Sequence, residues 1–71
     1  MKWIKRIERL AHMFGMNFEY LRPEQAAIIG NYIVTPNRGF EFDLWDMHEE
    51  IFILYRVPFY RVERRLHYLL T

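Results

Sequence analysis

"IFILYRVPFYRVERRLHYLL", residues 51–70, decides the fold. Its first half, IFILYRV, is β-branched and aromatic and has high β-propensity. As a strand it extends a sheet; as a helix it joins the second half in a two-helix element. The second half is clearer. Phe59, Val62, Leu66 and then Leu69 or Leu70 recur at helical spacing, with Arg61, Arg64 and Arg65 largely off that stripe. Pro58 biases Val57 away from helical angles, so it breaks or restarts the element. The residues just upstream tip the balance toward helix. Asp46 and Glu49 have the spacing of a capping box, with Asp in the place of Ser or Thr. Asp46, Glu49 and Glu50 also suit the positive end of a helix dipole. Ile51, Leu54, Tyr55 and Pro58 keep helical spacing. The expectation is a helical segment over Asp46–Leu70, bent or broken near Pro58, with a strand over Ile51–Val57 as the alternative.

The segment before it is a β-hairpin, expected over about residues 31–45. NYIVT is β-branched and aromatic, PNRG is turn chemistry, and FEFDLW alternates strictly. The alternation puts Phe40, Phe42 and Leu44 on one face and Glu41, Asp43 and Trp45 on the other. Further upstream, Pro23-Glu24-Gln25 has the form of a helix start, and AAII would continue it for a turn or two before Gly30. MNFEYL alternates and reads as a short strand or an extended connector. Trp3, Ile7, Leu10 and Phe14 make an amphipathic N-terminal helix, closed by Gly15 as a left-handed cap. The fold class is therefore α+β: a small single domain over residues 1–71, with helices covering the hairpin's apolar face.

Composition narrows the function. The chain has no cysteine, which excludes disulfides and thiolate metal sites. A chain of 71 residues buries a marginal core, yet 52% of it is apolar and 18% aromatic, so apolar surface should be left over for a partner. No uncharged apolar run of about 18 residues exists, so no membrane partner is expected, and a cytoplasmic location is the default. Charge is divided along the chain. The first 15 residues carry Lys2, Lys5, Arg6 and Arg9 against Glu8; residues 51–71 carry Arg56, Arg61, Arg64 and Arg65 against Glu63. Between them stand seven acids against Arg22 and Arg38. The ordinary expectation is that basic ends pair with an acidic middle inside a compact domain. The sharper one is a two-faced surface.

Residues 50–70 resemble the helix-turn-helix of bacterial repressors, with Ile51, Tyr55, Val57 and Val62 at its apolar places. That resemblance implies DNA binding through Arg56, Arg61, Arg64 and Arg65. Two positions depart from the pattern: Phe52 stands where a small residue lets the helices approach, and Arg56 stands where glycine makes the turn. His48-Glu49 begins the zinc-peptidase pattern HExxH, but Phe52 occupies the second histidine position, so zinc binding does not carry over. Serine is absent, threonine occurs only at 35 and 71, and the glycines are isolated, so no nucleophile or phosphate loop is assembled. Trp45, on the hairpin's polar face, is the ring best placed to stack on a single-stranded base, although two strands make a poor platform.

These features favour a non-enzymatic protein-binding regulator or inhibitor without metal or cofactor. Its expected contact residues are Trp45, Tyr60, Arg61, Arg64 and Arg65, residue types that carry most energy at interfaces. Its partners would be a protein target or a second copy of the chain, with nucleic acid as the alternative. A chain of this size with no catalytic kit is comparable to small regulators and to phage-encoded inhibitors of host machinery, an analogy of size alone.

Overall fold

The computed structural model describes residues 2–71. An N-terminal helix, α1 (Lys2–Phe14), leads into five strands: β1 (Phe18–Leu21), β2 (Ala26–Ile29), β3 (Tyr32–Pro36), β4 (Glu41–Asp46) and β5 (Ile51–Pro58). A second helix, α2 (Phe59–Leu70), closes the chain. The strands form one antiparallel sheet in the order β1-β2-β3-β4-β5, each pairing with its sequence neighbour. The α+β class, the N-terminal helix, the hairpin and the helix after Pro58 are as the sequence leads one to expect.

Both helices pack on one face of the sheet. Helix α1 lies over β1 and β2, and α2 over β4 and β5. Rings of α1 and α2 meet at both ends: Trp3 with Phe59 at 6.4 Å between centroids, and Phe14 with His67 at 5.1 Å. Arg6 reaches Glu63 between these contacts, so the two helices run parallel. Ile7, Leu10 and Ala11 from α1, Val62 and Leu66 from α2, and Ala27, Ile29, Val34, Leu44, Leu54 and Val57 from the sheet form the buried core. Trp3 fills the helix N-terminal end of that layer, edge-on to Tyr20, Phe42 and Phe59. Each fully buried aliphatic side chain contributes on the order of 1.5–3 kcal/mol through removal from water.

Helix α1 ends in a Schellman motif. Gly15 is left-handed at φ 65°, Met16 N–H donates to Ala11 O at 2.8 Å, and Gly15 N–H donates to His12 O. The next turn overturns the helix expected from Pro23. Residues 22–25 are a reverse turn, closed by Gln25 N–H to Arg22 O at 3.2 Å, with Gln25 left-handed at φ 51°. AAII is therefore strand β2, not a helical turn. Proline suits the second position of such a turn as well as the first position of a helix, and tertiary pairing decides between them.

Strands β2 and β3 are joined by the two residues Gly30 and Asn31. Gly30 has φ 58°, and a Cβ there would stand 3.3 Å from Met16 Sδ. A Gly30→Ala variant should lose about 1–2 kcal/mol, because an L-residue is strained in the left-handed region. Its thermal midpoint, followed by circular dichroism, should fall by roughly 4–8 °C for each kcal/mol lost. An unchanged midpoint would mean that this turn is not left-handed at Gly30.

The largest correction concerns Asp46–Val57. Ile51–Pro58 is strand β5, paired with β4 through Asp46↔Ile51, Trp45↔Phe52, Leu44↔Leu54 and Phe42↔Val57. The capping signal is nonetheless physically real. Asp46 Oδ1 accepts the N–H groups of His48 at 2.9 Å and Glu49 at 3.0 Å, the bonds a helix N-cap would make. Glu50 N–H then donates to Asp46 O at 2.8 Å, and Glu50 turns left-handed at φ 56°. That residue converts a helical first turn into a hairpin loop, and the β-propensity of IFILYRV prevails. The paired helices of a helix-turn-helix are thus not what residues 50–70 form: a strand runs into a single helix.

Strand β5 is bulged. Two residues separate Leu44 from Phe42 on β4, but three separate their partners Leu54 and Val57. Arg56 absorbs the extra residue at φ 54°. Its N–H donates to Asp43 Oδ1 at 2.8 Å in place of a ladder bond. Asp43 is 9% exposed, and Asn37 Nδ2 from the preceding hairpin loop donates to its Oδ2 at 2.9 Å. One carboxylate therefore fixes both the β3–β4 loop and the bend of β5 toward α2.

Candidate functional site

Helices cover one face of the sheet, and its other face is open. Strand alternation and the register assign residues to that open face. Ile28 pairs with Ile33, Ile33 with Trp45, and Trp45 with Phe52. These four side chains form one row across β2, β3, β4 and β5, about 14 Å long at the usual strand spacing. Glu19 of β1, paired with Ile28, ends the row. Trp45 and Phe52 meet edge-to-face at 4.8 Å, and Phe52 meets Tyr55 at 5.2 Å. Such ring pairs hold one another in place and are worth about 0.5–1.5 kcal/mol beyond area burial. Trp45 is half-buried, whereas Phe52 and Tyr55 stay 52% and 59% exposed. The row is a preformed apolar surface with its most exposed rings on the edge strand.

Acids frame this surface. Glu19, Glu41 and Asp43 lie on the open face by alternation, and Asp46, Glu49 and Glu50 belong to the turn that leads out of the row. Arg56 donates from Nε to Glu41 Oε1 at 2.8 Å. That bond, with the charge of Glu41, raises the Arg56 guanidinium above its ordinary pKa. His48 sits in the same turn, 3.6 Å from Glu49, so the HE pair stands on a hairpin loop and not on a helix.

The residues expected at the contact site divide between the two layers. Trp45 lies in the open-face row, while Tyr60, Arg61, Arg64 and Arg65 belong to α2 on the other side of the sheet. Arg56 is held in the sheet layer by Glu41, apart from the arginines of α2. Ile28, Ile33, Phe52 and Tyr55 complete the row and were not expected there. A signal for the first two was present: Gly30-Asn31 between Ile28-Ile29 and Tyr32-Ile33, β-branched and aromatic residues, is a two-residue hairpin connection.

The layers also differ in charge. Residues 2–14 and 59–71 carry seven Lys or Arg against Glu8 and Glu63, a formal +5; residues 15–58 carry three Arg against seven acids, a formal −4. Ion pairs among the described residues stay within a layer: Lys5–Glu8 and Arg6–Glu63 in the helices, Arg56–Glu41 and His48–Glu49 in the sheet. The basic ends therefore do not neutralise the acidic middle by direct pairing, and the divided charge becomes two sides of the molecule. No helix among the described residues is long and apolar enough to cross a membrane. Comparison of the chain with protein-family models, curated proteins and solved structures finds no match.

Proposed function

We propose that this chain is a non-enzymatic binding protein that docks a protein partner on the open face of its sheet and regulates or inhibits that partner by covering its surface. The observation that carries this reading is the continuous row Ile28–Ile33–Trp45–Phe52, extended by Tyr55, on a face that no helix covers. Aromatic anchors surrounded by polar groups are the usual anatomy of a protein interface.

Charge selects the kind of partner. A nucleic acid would bring phosphates against Glu19 and the acidic turn at 46–50, which opposes base stacking on these rings. Face-to-face pairing of two copies would bring two negatively framed surfaces together, because a two-fold interface uses the same patch on both subunits. An apolar patch with Lys or Arg at its rim satisfies both the row and its frame.

The test is comparative capture. Wild-type protein and a Trp45→Ala/Phe52→Ala variant are immobilised and exposed to an extract of the cells that carry the protein. A protein held by wild type and lost from the variant is the expected result. An identical set of bound proteins on both surfaces would contradict the assignment.

A further inference from the structure

Helix α2 carries a second feature that the open face does not use. Arg61, Arg64 and Arg65, with Tyr68, Leu54 and Leu69, line a groove of about 470 Å³ beside the helix. The acid on the same stretch of helix is already engaged: Glu63 takes two hydrogen bonds from Arg6, at 2.7 and 2.9 Å. No carboxylate among the described residues pairs with Arg61, Arg64 or Arg65. Three guanidinium groups thus stand within two turns of one helix, held together against their mutual repulsion only by the fold. Tyr68 is 77% exposed at the same groove and offers a hydroxyl and a ring face.

The parallel helix α1 adds to this charge. Lys2, Lys5, Arg6 and Arg9 line a second concavity on α1. The helical layer therefore presents basic residues on both helices. The α2 groove opens on the flank beside Leu54 of β5. On α1, Lys2 and Arg9 have no ion pair among the described residues, whereas Arg6 is bonded to Glu63 and Lys5 lies 3.9 Å from Glu8. A single carboxylate or a short acidic side chain would answer one guanidinium and leave the others unpaired. A ligand with regularly repeated anions answers all three guanidinium groups, and guanidinium forks match phosphate oxygens in bidentate geometry.

We propose that the helical layer binds the phosphodiester backbone of a nucleic acid, with Arg61, Arg64 and Arg65 as the main phosphate contacts and Lys2 and Arg9 of α1 as further ones. The contact does not use a helix-turn-helix and implies no reading of base sequence. It lies on the layer opposite the aromatic row, so it stands or falls separately from the protein-docking reading.

The experiment is fluorescence anisotropy with a labelled mixed-sequence DNA duplex, titrated with the full chain at 50 and 200 mM salt. Binding at 50 mM with a Kd of about 10⁻⁴–10⁻⁶ M is expected for contacts of this kind. Three phosphate contacts should weaken it roughly 40-fold at 200 mM, and further contacts from α1 would steepen the loss. An Arg61→Ala/Arg64→Ala/Arg65→Ala variant should lose most of the affinity. An Arg22→Ala/Arg38→Ala variant, with its changes in loops of the sheet layer, should retain it. Both should keep the wild-type circular dichroism spectrum. Absence of binding at 50 mM, or equal binding by the triple variant, would overturn the proposal. Equal affinity for a labelled ten-residue polyglutamate would also overturn it, since the groove would then respond to negative charge and not to phosphate.

Discussion

An Asp43→Ala variant should melt roughly 10–20 °C below the wild-type protein. Asp43 is nearly buried, and its carboxylate receives Asn37 Nδ2 from one loop and Arg56 N–H from the bulge of β5. Alanine removes both acceptors at once. Arg56 N–H has no ladder partner at the bulge, so it is left without the bond that made the left-handed turn tolerable. Leaving such groups unsatisfied costs about 2–3 kcal/mol in total. For a domain of this size each kcal/mol lowers Tm by about 4–8 °C. Asp43→Asn keeps an acceptor oxygen for Arg56 N–H and should lose less. Glu41→Ala, which removes only an exposed ion pair with Arg56, should shift Tm far less than either. A differential scanning measurement on the three variants gives the order directly. If Asp43→Ala melts with the wild type, Asp43 does not hold the bulge, and the bend that leads β5 into α2 has another cause.

The second large effect concerns binding. Once a partner is captured, Trp45→Ala/Phe52→Ala should weaken its affinity by about 2–4 kcal/mol, roughly 30- to 700-fold. The two rings are in contact at 4.8 Å, so their single-variant losses should not add. Trp45 is half-buried and its removal costs some stability as well. Phe52→Ala alone comes nearer to separating the two effects, because Phe52 lies outside the buried core and its truncation costs only its ring contacts with Trp45 and Tyr55. A Phe52→Ala variant with a lowered Tm that is still fully folded at the assay temperature, and a raised Kd, places the ring in the interface. Unchanged affinity in the double variant would place the contact elsewhere, with the α2 residues Tyr60, Arg61, Arg64 and Arg65 next to be tested.

The helices and the central hairpin were legible in the sequence because local pattern and tertiary context agree there. Trp3, Ile7, Leu10 and Phe14 keep a 3.6-residue period, Gly15 closes it, and Phe42 and Leu44 alternate against Trp45. Two elements were misread where a local signal is shared by two structures. Pro23-Glu24 serves a reverse turn as readily as a helix start. Asp46 makes the same hydrogen bonds to the next N–H groups whether a helix or a hairpin loop follows. What settles each case lies a few residues further on, in the left-handed Gln25 and Glu50, positions where neither residue type signals such a conformation. Arg56 hides the bulge of β5 in the same way.

The candidate site was half legible for a related reason. Trp45 was correctly placed on the hairpin's solvent-facing side by alternation. The rest of its row needed β2 and β5 to be strands and needed their register, which cross-strand pairing alone supplies. Trp45 and the arginines of α2, grouped by residue type, lie on opposite layers, because residue type says nothing about layer. The division of charge, by contrast, was visible in the linear sequence. Its meaning depended on the topology, which gathers both chain ends into one layer and the acidic middle into the other.

The most direct test of the open-face assignment is site-specific photocrosslinking. A benzoyl-phenylalanine at Phe52 would report on the aromatic row, and the same group at the equally exposed Tyr60 would report on α2. Irradiation in an extract of the cells that carry the protein should give a discrete protein adduct from position 52 and none from position 60. An adduct at twice the chain's own mass would identify the partner as a second copy and contradict the charge argument for a basic partner. A discrete adduct from position 60, with none from position 52, would contradict the account and move the docking surface to the helices.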